Sequence, residues 1–251
     1  MQMVYDEEGT GAPVVLLHGL GATGNVWRAC ASSLSKHFRT LCPDLPGSGR
    51  TPASGPISTG MLAEDLRSFM DALKLDRAHL VGHSYGSVVL QHFAVRYPDR
   101  VRSLSLVGPI QAPADPVRKA LADRAAKARS EGLVAIANAT VQAGTSMLTK
   151  AQRPEVAAFV RELVMRQDPN GYALTCEAVA STEPAALDTL KCPTLVITGD
   201  EDATSPPPVA KAVADRISGS RFHVLPYCGH WTPVEQVRSV SELLFNFLIV
   251  H

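Results

Sequence analysis

Short apolar runs at residues 14–17, 39–42, 78–81, 103–107, 194–198 and 221–225 narrow the possible folds of this chain more than any other feature. Several are too short for helices, they are bounded by Gly, Pro or Asp, and their Val, Leu, Ile and Thr content suits a pleated surface. They read as buried parallel strands. Between them lie stretches with helical periodicity. Residues 59–73 place Leu62, Leu66, Phe69, Met70 and Leu73 on one side, and residues 87–97 carry Val88, Val89, Phe93 and Ala94 before Pro98 stops the helix. Alternation of this kind predicts an α/β chain with a doubly wound, mostly parallel sheet.

The alternation breaks between about residues 111 and 190. Helical sequence at 119–129, 133–141, 155–166 and 172–181 follows Pro109, Pro113 and Pro116 and ends at Cys192-Pro193, with no convincing strand among it. The expected organisation is a core of residues 1–110 and 191–251, with residues 111–190 inserted as a helical lid over the sheet edge.

Charge excludes some functions. Lys plus Arg and Asp plus Glu both number 24 in 251 residues, and there is no basic run, so no field exists to attract nucleic acid. No apolar stretch approaches the roughly 20 residues that cross a bilayer, and residues 1–8 lack a basic start with an apolar run behind it. The five cysteines are odd in number and never paired as Cys-x-x-Cys, which reads as reduced thiols, not a disulfide framework or a zinc site. A cytoplasmic protein is the expectation. Nothing in the sequence sets its oligomeric state.

Chemistry concentrates at Gly82-His83-Ser84-Tyr85-Gly86, between a strand and a helix. A nucleophile on so sharp a turn needs small neighbours two residues away on each side, and the turn aims Ser84 at a helix N-terminus, whose free N–H groups favour negative charge. An ordinary glycine-rich turn is the plainer alternative; the strand before and the helix after favour a nucleophile. A serine hydroxyl needs a base. Of eight histidines, His230 lies in a loop after the last strand, able to overhang the sheet edge where Ser84 sits. His18, His79 and His83 read as structural, His92 as packing, and His37, His223 and His251 as surface or strand positions. For the acid, Gly199-Asp200-Glu201-Asp202 follows a strand. Asp202 is favoured because it lies furthest into the turn, with Asp200 stabilising the turn through its own backbone and Glu201 facing water. The oxyanion donors expected are the N–H groups of Leu20, in His18-Gly19-Leu20-Gly21, and of Tyr85. Trp27, Phe159 and Trp231 are candidate pocket aromatics, although such residues are more often core.

Taken together, the His-Gly-Leu-Gly loop, the Asp44-Leu45-Pro46-Gly47-Ser48-Gly49 turn, the Gly-His-Ser-Tyr-Gly turn, Tyr97-Pro98-Asp99-Arg100-Val101, Gly-Asp-Glu-Asp and Gly-His-Trp resemble the α/β-hydrolase superfamily in order and spacing. The resemblance implies that Asp44 is structural and that the lid is the family's variable cap. Within the superfamily the chain is most similar to 3-oxoadipate enol-lactonases and nearby carboxylesterases, through residues 171–178 and Leu187-Asp188 leading into Cys192-Pro193-Thr194. It departs in two places: Ala143-Gly144-Thr145-Ser146 stands where those enzymes carry an Arg-Trp-Phe-like cluster, and the usual first strand of the sheet is missing.

The expected reaction is hydrolysis of a small carboxylic ester or lactone through an acyl-enzyme, with no metal or organic cofactor. C–C bond hydrolysis of a ring-cleavage product is the alternative within enzymes, and a ligand-binding, receptor-like member of the fold is the alternative outside them. A lactone bearing a carboxylate calls for a pocket arginine, for which Arg28, Arg161 and Arg166 are candidates.

Overall fold

A computed structural model describes residues 3–251 and forms one seven-stranded sheet. The strands are β1 (Tyr5–Glu8), β2 (Ala12–Leu17), β3 (Phe38–Pro43), β4 (Ala78–His83), β5 (Val101–Val107), β6 (Thr194–Gly199) and β7 (Arg221–Leu225), in the order β1-β3-β2-β4-β5-β6-β7. Every pairing is parallel except β1 with β3. All residues of β4 and β6 are buried, as strands covered on both faces must be. Six of the strands coincide with the apolar runs. The seventh, β1, is Tyr-Asp-Glu-Glu and has no apolar signal; it is an edge strand held by the ladder to β3 and by the ion pair of Glu7 with Arg39.

Helices flank the sheet. α1 (Arg28–Leu34) packs on β3, α2 (Thr59–Ala72) on α3 (Tyr85–Arg96), and α3 on β4 and β5. α2 starts where the Ser58 side chain accepts the Met61 N–H, and it turns Leu62, Leu66, Phe69 and Met70 into the core. Between β5 and β6 all the regular structure is helical. α4 (Asp115–Glu131) packs on α8 (Pro169–Ala180), while α7 (Pro154–Met165) packs on α5 (Val134–Gly144) and α6 (Met147–Gln152). α9 (Pro207–Asp215) covers β6 and β7, and the short α10 (Thr232–Glu235) leads into α11 (Val237–Leu248), which packs on α1. All five cysteines are free thiols. Among the described residues no helix is long and apolar enough to cross a membrane.

The strand order places the site. From β2 the chain steps outward to β3, then returns to β4 on the other side of β2 and continues outward through β5, β6 and β7. The loops leaving β2 and β4 therefore diverge and open a crevice at the strand ends, the usual ligand position in such sheets. Asp44, at the end of β3, braces this rim. Its Oδ1 accepts from Gly24 N (2.8 Å) and its Oδ2 from Arg50 N (3.0 Å) and Arg50 Nε (2.8 Å). Burial alone would raise the Asp44 carboxyl; the Arg50 guanidinium and N–H, the Gly24 N–H and nearby His18 outweigh it, so its pKa is held below the usual carboxylate value.

A lowered folded pKa means that Asp44 contributes stability in full above the ordinary carboxylate pKa, and that this contribution is lost as pH falls through the folded value. Asp44→Asn is expected to cost about 1.5–3 kcal/mol at neutral pH, the scale of hydrogen bonds to a buried charge. Urea denaturation of both proteins should show the gap narrowing in acid; a gap that is the same at both pH values would show that the charge is not what matters.

Candidate active site

Ser84 sits at the one-residue turn from β4 into α3, with φ 52° and ψ −121°, left-handed backbone that a residue with a side chain seldom adopts. Its N–H donates to Val107 O on β5 (2.8 Å) and its carbonyl accepts from Ser87 Oγ (2.6 Å), so the strained turn is tied at both ends. A Cβ at Gly82 would lie 2.7 Å from the Gly86 carbonyl group, and one at Gly86 would lie 2.5 Å from His18 O. Only glycine fits either place. The crowding anticipated on both sides of Ser84 is thus steric contact with particular backbone atoms.

Three segments far apart in sequence converge here. His230 Nε2 is 2.8 Å from Ser84 Oγ, and His230 Nδ1 is 2.8 Å and 3.0 Å from the two oxygens of Asp202. Asp202 is buried at the turn after β6, where its Oδ1 also accepts from Thr204 N (2.9 Å) and Ser205 N (2.7 Å). Burial pushes the Asp202 carboxyl up, but His230, by charge and hydrogen bond, and the two N–H groups pull it down further, so the net shift is downward and it remains the charged partner of the ring. With Asp202 accepting at Nδ1, that nitrogen carries the proton and the Nε2 lone pair faces Ser84, the tautomer a general base requires.

The other two carboxylates of the turn lie elsewhere. Asp200 is exposed and accepts from Cys228 N (3.1 Å), bracing the neighbouring loop, not its own backbone. Glu201 does not face water freely: its Oε2 takes the Met147 N–H at 2.7 Å.

Leu20 and Tyr85 both line the cavity above Ser84, and among the described residues neither backbone N–H has an acceptor. The Leu20 loop is shaped by buried His18, whose Nδ1 donates to Gly19 O (2.9 Å) while its Nε2 accepts from Leu45 N (2.9 Å). His83 is also buried and donates from Nε2 to the His230 carbonyl (2.7 Å). Burial first, then the neighbouring His230, lowers the His83 pKa to about 3, so it is neutral at any ordinary pH.

The cavity measures about 350 Å³ and opens over Ser84 and His230. Of the three aromatic candidates only Trp231 lines it. Trp27 is fully buried beneath, with Nε1 donating to Leu17 O (3.0 Å), and is core. Phe159 lies on α7 one position from Val160, about 100° around the helix, where the buried stripe of Val156, Val160 and Leu163 gives way to solvent. The three arginines singled out from sequence are also elsewhere: Arg28 pairs with Glu8, Arg161 bonds Asn138, and Arg166 pairs with Glu162. Arg124 of α4 is the one cationic residue lining the cavity, and among the described residues it has no carboxylate partner. Nothing in the sequence distinguished it from the other charged residues of α4. A larger groove of about 490 Å³ between α1 and α11 contains serines and His37, but Ser33 and Ser241 spend their hydroxyls on carbonyls of their own helices, and among the described residues no hydrogen bond joins His37 to either.

Residues 12–236 match the family model described as alpha/beta hydrolase fold. The chain belongs to that family and is a hydrolase of this fold. It is 31% identical to a 2-hydroxy-6-oxo-2,4-heptadienoate hydrolase from Pseudomonas putida, over 96% of this chain and 90% of that one. Among solved structures it is similar to a thermophilic esterase from Thermogutta terrifontis (31% identity, TM-score 0.94, 98% of this chain and 92% of that one). It is also similar to the enol-lactonase from Burkholderia xenovorans LB400 (30% identity, TM-score 0.93, 98% and 96%).

Asp202→Asn sets an amide that can donate where a carboxylate acceptor now faces His230 Nδ1, and so disfavours the tautomer with its proton there. A fall in kcat of about 10⁴-fold is expected, with Asp200→Asn having only a small effect. Steady-state kinetics of both variants decide the assignment, and a larger loss in Asp200→Asn would overturn it.

Proposed function

We propose that the protein is a serine hydrolase that cleaves small carboxylic esters or lactones through an acyl-enzyme. The observation that carries this reading is the unbroken hydrogen-bond chain from Asp202 through His230 to Ser84 Oγ, with the last link 2.8 Å long. As Ser84 Oγ attacks the carbonyl, its proton passes to His230 Nε2, and Asp202 stabilises the imidazolium without taking a proton. The oxyanion formed is held by the N–H groups of Leu20 and Tyr85, each worth about 2.7–4 kcal/mol. His230 then protonates the departing alcohol, or the ring oxygen of a lactone. In the second half it takes a proton from water, hydroxide adds to the acyl group, and Ser84 leaves with the proton returned. Residues 111–190 act as the cap that supplies the outer walls of the pocket.

The pocket bears on the substrate. At about 350 Å³ it lies near the lower limit of small-molecule sites. Ile110, Val117, Leu121, Val179 and Trp231 make its walls apolar, and Arg124 alone adds a positive charge. A substrate with a short apolar body and a carboxylate at its far end matches that lining. The Thermogutta esterase structure holds malate, a dicarboxylate, which agrees with this reading.

C–C bond hydrolysis of a ring-cleavage dienoate is the second reading. It is favoured by the 31% identity to the heptadienoate hydrolase and would use the same three side chains. A purely ligand-binding role leaves the open Leu20 and Tyr85 amides and the aligned base without purpose.

A panel of short nitrophenyl esters, an enol-lactone and a ring-cleavage dienoate decides between the readings. The expected result is a burst of nitrophenol from the esters and faster turnover of esters or lactone than of dienoate, with all turnover lost in Ser84→Ala at unchanged fold. Preference for the dienoate would select the second reading, and a melting shift by ligands without turnover would select the third. Arg124→Gln is expected to raise KM roughly tenfold for a nitrophenyl hemiester of a dicarboxylic acid, the cost of one charge-assisted contact, and to leave the neutral butyrate ester unchanged.

A further inference from the structure

The His230 loop is held from two sides, by bonds to the sheet and the turn after β6 (Glu201 N to Cys228 O, Cys228 N to Asp200 Oδ1, His83 Nε2 to His230 O) and by a segment of the helical insertion. His230 N donates to Gly144 O, at the end of α5, at 2.7 Å. Immediately beside it lies Glu235, buried (4% exposed), whose carboxylate forms no salt bridge among the described residues, while its main-chain carbonyl accepts from Arg153 Nη1 (2.8 Å). Its Oε2 accepts from Ser146 N (2.7 Å), the cap of α6, and Thr149 Oγ1 (2.8 Å), in the first turn of that helix, and its Oε1 accepts from Trp231 N (3.2 Å), next to His230. Ser146 and Thr149 are themselves buried, and Ser146 Oγ donates to Thr149 Oγ1 (3.0 Å). The two backbones touch at this point. A Cβ at Gly229 would lie 2.6 Å from Gly144 O, 2.7 Å from Ser146 N and 2.8 Å from Glu235 Oε1.

A buried carboxylate without a cation is costly unless its lone pairs are filled by donors. Here the donors come from two separate segments, one bearing the base and the other belonging to the insertion. The carboxylate is therefore satisfied only when both segments are seated against it. We propose that Glu235 is a positioning residue that locks the His230 loop to the turn between α5 and α6, so that His230 stands in line with Ser84 only while that turn is in place. The role extends the reading of Ser84 and His230 as nucleophile and base and rests on it. Closing the pocket and aligning the base become one event: an insertion lifted away at residues 144–149 removes the Gly144 acceptor from His230 N and leaves Glu235 with Trp231 alone. The same contact accounts for Ala143-Gly144-Thr145-Ser146. The enol-lactonase-like pattern has bulky residues there, but a Cβ at Gly144 would already lie 2.9 Å from Trp231 Nε1, and the turn has to supply a close backbone and a free N–H.

Glu235→Gln tests this without changing shape. A glutamine keeps one acceptor oxygen, so its NH2 must face either the Trp231 N–H or the Ser146 N–H, and one side of the lock is lost. Kinetics with a short neutral nitrophenyl ester, normalised to Ser84 sites titrated by a fluorophosphonate, are expected to show kcat per titrated site at least about tenfold lower with KM nearly unchanged, the signature of a misplaced base. Thr149→Val, which removes one donor from the insertion side, is expected to lower kcat about threefold, and the two substitutions together should combine non-additively. A Glu235→Gln protein with normal kcat per titrated site, having lost only melting temperature or titratable fraction, would overturn the proposal and leave Glu235 a structural residue. Should that variant not fold, an unchanged kcat in Thr149→Val overturns it equally. Failure of the underlying reading is seen separately, as wild-type protein that neither reacts at Ser84 nor turns over the ester.

Discussion

The sharp turn at Ser84 governs the rest of the site. Leaving β4 and entering α3 within one residue forces a left-handed φ of 52° on a serine, and that conformation survives only because its surroundings hold it. Gly82 and Gly86 admit the close approach, Val107 and Ser87 bond the turn from two directions, and the backbone of the loop after β2 packs directly on it. The same crowding sets the Gly19–Leu20 loop against Ser84, so one steric arrangement gathers Ser84, Leu20 and Tyr85 at the same cavity.

A second requirement is electrostatic. Asp202 is buried, and a buried carboxylate is tolerated only with donors on its oxygens. Thr204 N, Ser205 N and His230 supply them, and in doing so they fix both the direction of the imidazole and the nitrogen that bears its proton. His83, neutral and buried, holds the His230 carbonyl from below, while Gly144 holds its N–H from the insertion side. His230 is thus clamped by the sheet on one side and by the helical insertion on the other. Glu235 is the hinge point between those two supports.

How far the site was legible depends on how local each signal was. The strand runs, the crowded serine turn and the short motifs around Asp202 and His230 are each written in a few contiguous residues, and the structure brings Ser84, Asp202 and His230 together. The edge strand β1 escaped because an exposed antiparallel edge needs no apolar residues. α1 escaped because it is seven residues long and rich in small side chains. Trp27 and Phe159 show the limit of composition: an aromatic residue announces apolarity, not the cavity it faces, and one proved to be core and the other to lie at a helix margin. Arg124 and Glu235 gave no signal at all, since each resembles any charged helical residue until the partner segment is seen.

The amino-acid sequence alone determined the alternation of strands and helices, the helical break after residue 110, and the crowded turn at Ser84, because these follow from hydrophobic pattern and from steric limits within a few residues. Only the tertiary structure decided which arginine lines the cavity and what holds His230 in place, and it seated against His230 the carboxylate of Asp202 that the sequence had favoured. Those outcomes depend on distances between segments separated by tens to more than a hundred residues, and on burial, which turns an unremarkable glutamate into a group whose oxygens must all be satisfied.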